Sequence, residues 1–165
     1  MSGAGKNAEA DPPGIEENRC EVGTCEEKLE ALVERCRISG LRQTRSLENL
    51  LQTFLESDCP MTLNDLCKSE YLASQCNKTT VFRILKRLVC KEIVRHLGVS
   101  GRPAHFYLVD SGSSIGYLIC TGCGTIETVP TPGQVQELRE HILKTSGYTR
   151  LYHEFEIYGV CAHCS

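Results

Sequence analysis

The sequence predicts an α+β protein: an N-terminal winged helix-turn-helix domain, then a small α/β domain that a four-cysteine zinc site closes. Three observations predict this fold. Stretches with apolar residues at helical spacing precede a hairpin pattern, the last of these stretches is basic, and two C-x-x-C pairs bracket a strand, helix and strand pattern. We interpret residues 1–23 as a disordered tail, 24–110 as the winged-helix domain and 111–165 as a second domain, which would bind zinc.

The composition is ordinary for a globular protein, with 41% hydrophobic and 24% charged residues. There is no run of ~18 apolar residues, and the N-terminus is polar and acidic, so we predict neither a membrane span nor a signal peptide. The eleven cysteines are an odd number and are scattered over predicted helices. This pattern favours reduced thiols and a metal site over a disulfide framework, and we expect a cytoplasmic protein.

Cap residues and apolar spacing predict the helices of the first domain. Leu29, Leu32, Val33 and Cys36 predict a first helix that ends before Gly40. Polar residues that can accept a hydrogen bond from the first turn begin the later helices. The N-caps predicted for these three helices are Thr44, Thr62 and Asn77.

The fourth helix has an apolar face and a polar, basic face. Residues 77–105 carry seven Lys and Arg and one acidic residue, a net charge of +6 in a chain of net charge −3. A solvated surface helix is the alternative, but a local basic block in a helix-turn-helix pattern favours contact with DNA. Arg87, Lys91 and Arg102 are candidates for phosphate contacts or plain surface charge. The residues expected to meet DNA from this helix are Lys78, Thr79, Thr80, Phe82, Arg83 and Lys86.

A β-hairpin follows the basic helix and predicts the wing. Residues 93–97 and 104–109 are strand-like and flank a turn from Gly98 to Pro103.

Two cysteine pairs, Cys120 with Cys123 and Cys161 with Cys164, organise the second domain. Thiolates at this spacing can each occupy two corners of one tetrahedron, which is the geometry that Zn²⁺ prefers. Four sulfur ligands leave no position open for water, so we expect about one structural zinc ion per chain and no hydrolytic chemistry. Thiols that fill a core, or a redox pair, are the alternatives.

The thirty-seven residues between the pairs read as secondary structure. Strands are predicted at about 117–120 and 125–129, and a last strand at 148–158. Between them, Thr131 is the predicted N-cap of a helix with Pro132 at its first position, running to about Thr145. We expect no enzyme, because no Ser/His/Asp, Cys/His or open metal constellation is visible in the sequence.

From about residue 26 to 165 the ordered motifs resemble the ferric uptake regulator family, which includes iron-, zinc- and peroxide-responsive bacterial repressors. The motifs are LICTGCG at 118–124, HEFEIYGVCAHC at 153–164 and TVFRIL at 80–85, where the family has Thr-Val-Tyr-Arg. The resemblance implies a homodimeric transcriptional repressor that binds inverted-repeat operator DNA and holds a structural zinc, with residues 111–165 serving dimerisation. It also implies that Arg42 contacts the minor groove or the DNA backbone.

The departures from the family pattern concern DNA contact and sensing. Leu47 stands where the family usually has Arg, and Phe82 where it has Tyr. The positions of the family's regulatory-metal ligands fall on residues that bind metal poorly or not at all, and only His153 matches a ligand position. We therefore expect a directly packed junction between the domains and DNA binding without added metal. The positions that lost their ligands are Leu108, Ile115, Tyr117 and Thr128.

Three alternatives stay open at this stage. An unconventional second metal site would use His96, His105, His153 and a cysteine. The chain would otherwise modulate another regulator through mixed dimers, or sense oxidation through its thiols. The sequence does not assign the operator, the signal, or the cysteines outside the two pairs, which are Cys20, Cys25, Cys36, Cys59, Cys67, Cys76 and Cys90.

Overall fold

The computed structural model of the chain describes residues 24–57, 59–109, 115–148, 151 and 153–165. The predicted tail, Cys20 within it, and the predicted domain boundary at residue 110 lie outside these residues. Within the described residues, the first half contains four helices and three strands. In chain order they are α1 (Cys25–Ile38), α2 (Arg45–Leu55), β1 (Met61–Thr62), α3 (Leu63–Lys68), α4 (Lys78–Cys90), β2 (Val94–Leu97) and β3 (His105–Leu108).

Side-chain caps begin all four helices, as the local sequence predicts for the last three. The Thr44 hydroxyl accepts from the Leu47 N–H, and the Asn77 side chain accepts from Thr80. Thr62 forms a capping box with Asp65, and Thr24 forms another at the start of α1. These acceptors satisfy N–H groups that have no partner inside the helix, which fixes where each helix begins.

One apolar core joins the four helices to the wing. Leu50, Leu51, Leu66, Leu85 and Leu88 are fully buried in it. They lie on single faces of α2, α3 and α4, so burying them stacks these helices and leaves the opposite face of α4 in solvent.

The wing is a three-stranded antiparallel sheet in the order β1-β3-β2. The two long strands form the predicted hairpin. The short strand β1 was not predicted, because two residues carry no periodic signal and the pairing of Met61 with Phe106 depends on the tertiary fold.

The second half contains β4 (Ile115–Cys120), β5 (Ile126–Pro130), α5 (Gly133–Thr145) and β6 (Glu156–Gly159). The sheet order is β5-β4-β6, with β6 parallel to β4. The parallel pairing places the carboxyl ends of β4 and β6 side by side, so the two cysteine pairs meet beyond these strand ends.

Two details of this half differ from the prediction. The N-cap of α5 is Pro132, not Thr131, and no side chain caps the helix. Pro132 has an extended ψ of 141°, which delays the helix to Gly133, and the Thr131 hydroxyl is buried without a partner among the described residues. The last strand is also shorter than predicted and is confined to Glu156–Gly159; residues 149, 150 and 152 lie outside the described part.

No helix within the described residues is both long and apolar enough to span a membrane.

Candidate functional site: a four-thiol metal centre and a basic helix

The four cysteine Sγ atoms all lie within 4.8 Å of one another. The Sγ atoms of Cys123 and Cys161, one from each pair, are 3.7 Å apart. A tetrahedral zinc ion with Zn–S bonds of ~2.3 Å holds its sulfurs about 3.8 Å apart, whereas a disulfide brings them to ~2.05 Å. The geometry therefore fits a structural zinc with four thiolate ligands and not a disulfide. The full set is Cys120, Cys123, Cys161 and Cys164.

Backbone amides favour the thiolate form within this cluster. The N–H groups of Cys123 and Cys161 lie 3.4 Å and 3.3 Å from Cys120 Sγ, and these bonds lower the Cys120 pKa to about 5. The Cys164 pKa is raised, chiefly by its hydrogen bond with Cys161. The Cys123 pKa is lowered as well, chiefly by its hydrogen bond with Thr125. The fold thus favours two of the thiolates, while a full set of four needs a cation to balance its charge.

A glycine allows the two cysteine turns to approach. A Cβ at Gly122 would lie 2.8 Å from Cys164 Cβ and 3.0 Å from its Sγ, closer than side chains tolerate. Gly122 is therefore constrained to remain glycine by the close approach of Cys164.

The polar face of α4 presents the residues expected to meet DNA. Phe82 is 43% exposed, and the Lys86 ammonium lies 5.5 Å from the centre of its ring. Thr79 and Arg83 are exposed, and Thr80 is half-buried. Lys78 donates to Asn64 Oδ1 at 2.7 Å. Arg42 lines the same cleft as Thr80 and Arg83.

The structure does not bring the three candidate histidines together. His96 pairs with Phe106, and His105 pairs with Leu97, so the two histidines lie on opposite faces of the wing. His153 is exposed in the second half of the chain. Within the described residues, the four cysteines are the only group of three or more His, Cys, Asp or Glu side chains placed to hold a metal.

Aromatic and ionic contacts join the two halves, but they differ from the packing expected at Leu108, Ile115, Tyr117 and Thr128. Tyr117 takes part in them, Leu108 packs against the core of the first half, and Ile115 and Thr128 are exposed. The rings of Tyr107 and Tyr117 are 4.8 Å apart, and Arg95 forms an ion pair with Glu154. Burial raises the pKa of Tyr107, and it raises the pKa of Tyr117 to about 12. Since burial is the main cause of both shifts, the two phenol rings are partly shielded from solvent, which suits a packed junction.

Arg102, at the tip of the wing, donates to the cysteine turn of the other half. Its guanidinium bonds to the carbonyl oxygen of Cys123 at 2.6 Å and to that of Gly122. A Cβ at Gly124, whose φ is +78°, would lie 2.7 Å from Arg102 Cδ. We call these contacts the Arg102 latch. The sequence offered no signal for it, because a basic residue in a wing turn also suits phosphate or solvent.

The remaining described thiols are divided between core and surface. Burial raises the pKa of Cys36 and of Cys67, as expected for thiols that pack as small apolar groups. Cys25, Cys59 and Cys90 are exposed.

A winged-helix domain joined to a small α/β domain with a four-thiol zinc cluster defines a class of zinc-holding winged-helix proteins. The model of the ferric uptake regulator family matches residues 38–158. The chain belongs to the ferric uptake regulator family.

Relatives and solved structures agree with this assignment. The chain is 28% identical over 141 residues to the peroxide operon regulator of Bacillus subtilis, covering 84% of this chain and 94% of that one. It is 27% identical over 140 residues to the ferric uptake regulation protein of Campylobacter jejuni, covering 83% and 88%.

Its fold matches the ferric uptake regulator of Helicobacter pylori with a TM-score of 0.62 at 19% identity, covering 86% of this chain and 94% of that one. The regulator of Pseudomonas aeruginosa also gives 0.62, at 21% identity, covering 78% and 96%.

Proposed function

We propose that this chain is a homodimeric, sequence-specific DNA-binding transcriptional repressor whose second domain is held by one structural zinc ion. The observation that carries the proposal is α4, whose apolar face is fixed in the core while its exposed face is basic and contains no acidic residue. The matched relatives are named as regulators, which supports this class over an enzyme. Such a regulator acts in the cytoplasm, where its operator is accessible.

The N-terminal half of α4 would lie in the major groove. Arg83 and Lys86 are placed for base edges and phosphates, and Phe82 for a thymine methyl group. The cation–π contact between Lys86 and Phe82 would fix the orientation of both side chains before DNA is bound.

The second half needs a partner surface. Of its described residues, only Gly116, Ile119 and Cys120 are buried, and every residue of α5 retains exposure. Several exposed large apolar side chains in one small domain are typical of an interface, and two-fold pairing would present two α4 helices to an inverted repeat. The large exposed apolar side chains of the second half are Ile115, Leu138, Tyr148, Ile157, Tyr158 and Val160.

We place the boundary between the two domains at residue 110.

We further propose that direct contacts replace the regulatory metal. The tyrosine pair, the Arg95–Glu154 ion pair and the Arg102 latch join the wing to the second half. If the two halves are already held in the DNA-binding arrangement, a second metal ion has no other arrangement to select against. Its binding would then add little coupling free energy to DNA binding.

A mobility-shift titration on the promoter region of the chain's own gene tests the proposed function. The zinc-loaded protein should shift this DNA at concentrations that leave random duplex free. Arg83→Ala should weaken specific binding by about 1 to 3 kcal/mol, because it removes a base contact. Lys144→Ala, an exposed charge removed from α5, is the matched control and should bind like the parent. Equal affinity of Arg83→Ala and the control for the operator would remove Arg83 from that role.

A further inference from the structure

A cleft of about 370 Å³ lies beside the exposed face of α4. The approach to α2 and its first turn form one wall, and α4 forms the other. The first wall contributes Leu41, Arg42, Thr44, Ser46 and Leu47, and the second contributes Thr80, Arg83, Ile84 and Arg87.

The charge of the cleft is uncompensated. Arg42, Arg83 and Arg87 are exposed, and their guanidinium groups make no ion pair or hydrogen bond to a described residue. Glu48, the acidic residue of the first turn of α2, does not line the cleft and accepts a hydrogen bond from Gln43 at 2.6 Å. Three cations without a counter-charge around one cavity are a site for an anion.

The cleft also has an apolar part, which narrows the choice of anion. Leu47 is 3% exposed and belongs to the core, while Leu41 and Ile84 are half-buried beside it. The volume exceeds that of a phosphate ion, whose share is comparable to a few waters of ~30 Å³ each. Apolar walls favour a group that carries one negative charge together with a sugar face, as a phosphodiester with its deoxyribose does.

We propose that this cleft binds one backbone phosphate of the DNA duplex, with Arg42 and Arg87 as its clamp and Arg83 shared between the cleft and the groove. The proposal rests on the proposed function. It gives Arg87 a positioning role that is independent of DNA sequence, because phosphate contacts fix register and orientation but carry no base information. Leu47 then anchors the wall of the clamp, and the three arginines supply all of its charge.

Binding of Arg87→Ala and Arg42→Ala to operator and to random duplex across a range of salt concentrations tests the clamp. Each variant should weaken binding to both duplexes by the same factor and reduce the slope of log K against log[salt] by about one. Lys144→Ala is the charge-matched control and should leave the slope unchanged. Loss of affinity confined to the operator, or an unchanged slope in Arg87→Ala, would overturn the phosphate role.

Neutral methylphosphonate linkages, placed one at a time along each operator half-site, locate the contact. At one position the neutral linkage should weaken operator binding by the parent protein but cause no further loss of affinity in Arg87→Ala. If the loss from the linkage and the loss from Arg87→Ala add at every position, the clamp is contradicted.

Inorganic phosphate distinguishes the other source of this chemistry. At constant ionic strength it should displace the duplex no better than chloride. Competition by millimolar phosphate that disappears in Arg87→Ala would show a free-phosphate site and overturn the backbone assignment. If the parent protein binds no duplex at all, the proposed function is wrong. If the parent binds the operator but Arg42→Ala and Arg87→Ala do not behave as predicted, the phosphate clamp is wrong and the proposed function stands.

Discussion

Removing the Arg102 latch should loosen the wing from the second half and weaken DNA binding. One guanidinium donates to two carbonyl oxygens of the cysteine turn, at Cys123 and Gly122. A net hydrogen bond contributes about 0.5 to 1.5 kcal/mol, and because Arg102 is exposed we assign about 1 to 2 kcal/mol to the pair. Arg102→Ala should therefore raise the operator Kd by roughly 5- to 30-fold, the factor that 1 to 2 kcal/mol represents.

Arg102→Lys separates the latch from a simple phosphate contact. Lysine keeps the charge but lacks the planar fork that reaches two carbonyl oxygens together. If the latch matters, Arg102→Lys should be nearly as weak as Arg102→Ala in fluorescence anisotropy titrations, and both should release zinc to a chelator faster than the parent. Parent-like affinity and zinc release in Arg102→Lys would refute the latch.

Three other substitutions test the site and the fold. Gly122→Ala should speed zinc loss to a chromogenic chelator, because the new Cβ displaces Cys164, whereas Gly133→Ala, where a Cβ meets nothing within 4 Å, should not. Glu92→Gly should raise the free energy of unfolding in urea by about 0.5 to 1 kcal/mol, because Glu92 has a φ of 54°, which costs a residue with a Cβ more than glycine; a loss of stability would contradict this reasoning. Leu50→Ala should lower the same free energy by about 2 to 5 kcal/mol at an unchanged m value, since Leu50 is fully buried; a loss under about 1 kcal/mol would show that the core is loosely packed.

The sequence predicted those parts of the fold whose signals are local. Thr44, Thr62 and Asn77 begin their helices as expected, because a cap depends on residues only three positions away. Thr131 shows the limit of that reasoning, since its side chain suits a cap but the backbone at Pro132 is still extended. The four cysteines were predictable because metal geometry restricts their spacing.

The contacts between the two halves were not predictable from local signals. Tyr107 lies in a strand and Glu154 in a loop, and neither position carries a local signal for its partner. Their contacts with Tyr117 and Arg95 form only in the folded chain. The cleft at Arg87 likewise depends on how α2 packs against α4, which periodicity does not specify. Of the positions expected to pack this junction, Tyr117 contacts Tyr107 across it, whereas Ile115 and Thr128 are exposed.

The central claim is that the zinc-loaded dimer is competent to bind DNA through a directly packed junction. The most direct measurement is the operator affinity of the one-zinc protein as Fe²⁺, Mn²⁺ or further Zn²⁺ is added. We predict a change of less than about twofold across the titration, because the contacts between the halves are made before any second metal binds. A rise in affinity of about tenfold or more, equivalent to ~1.4 kcal/mol of coupling, would contradict the account.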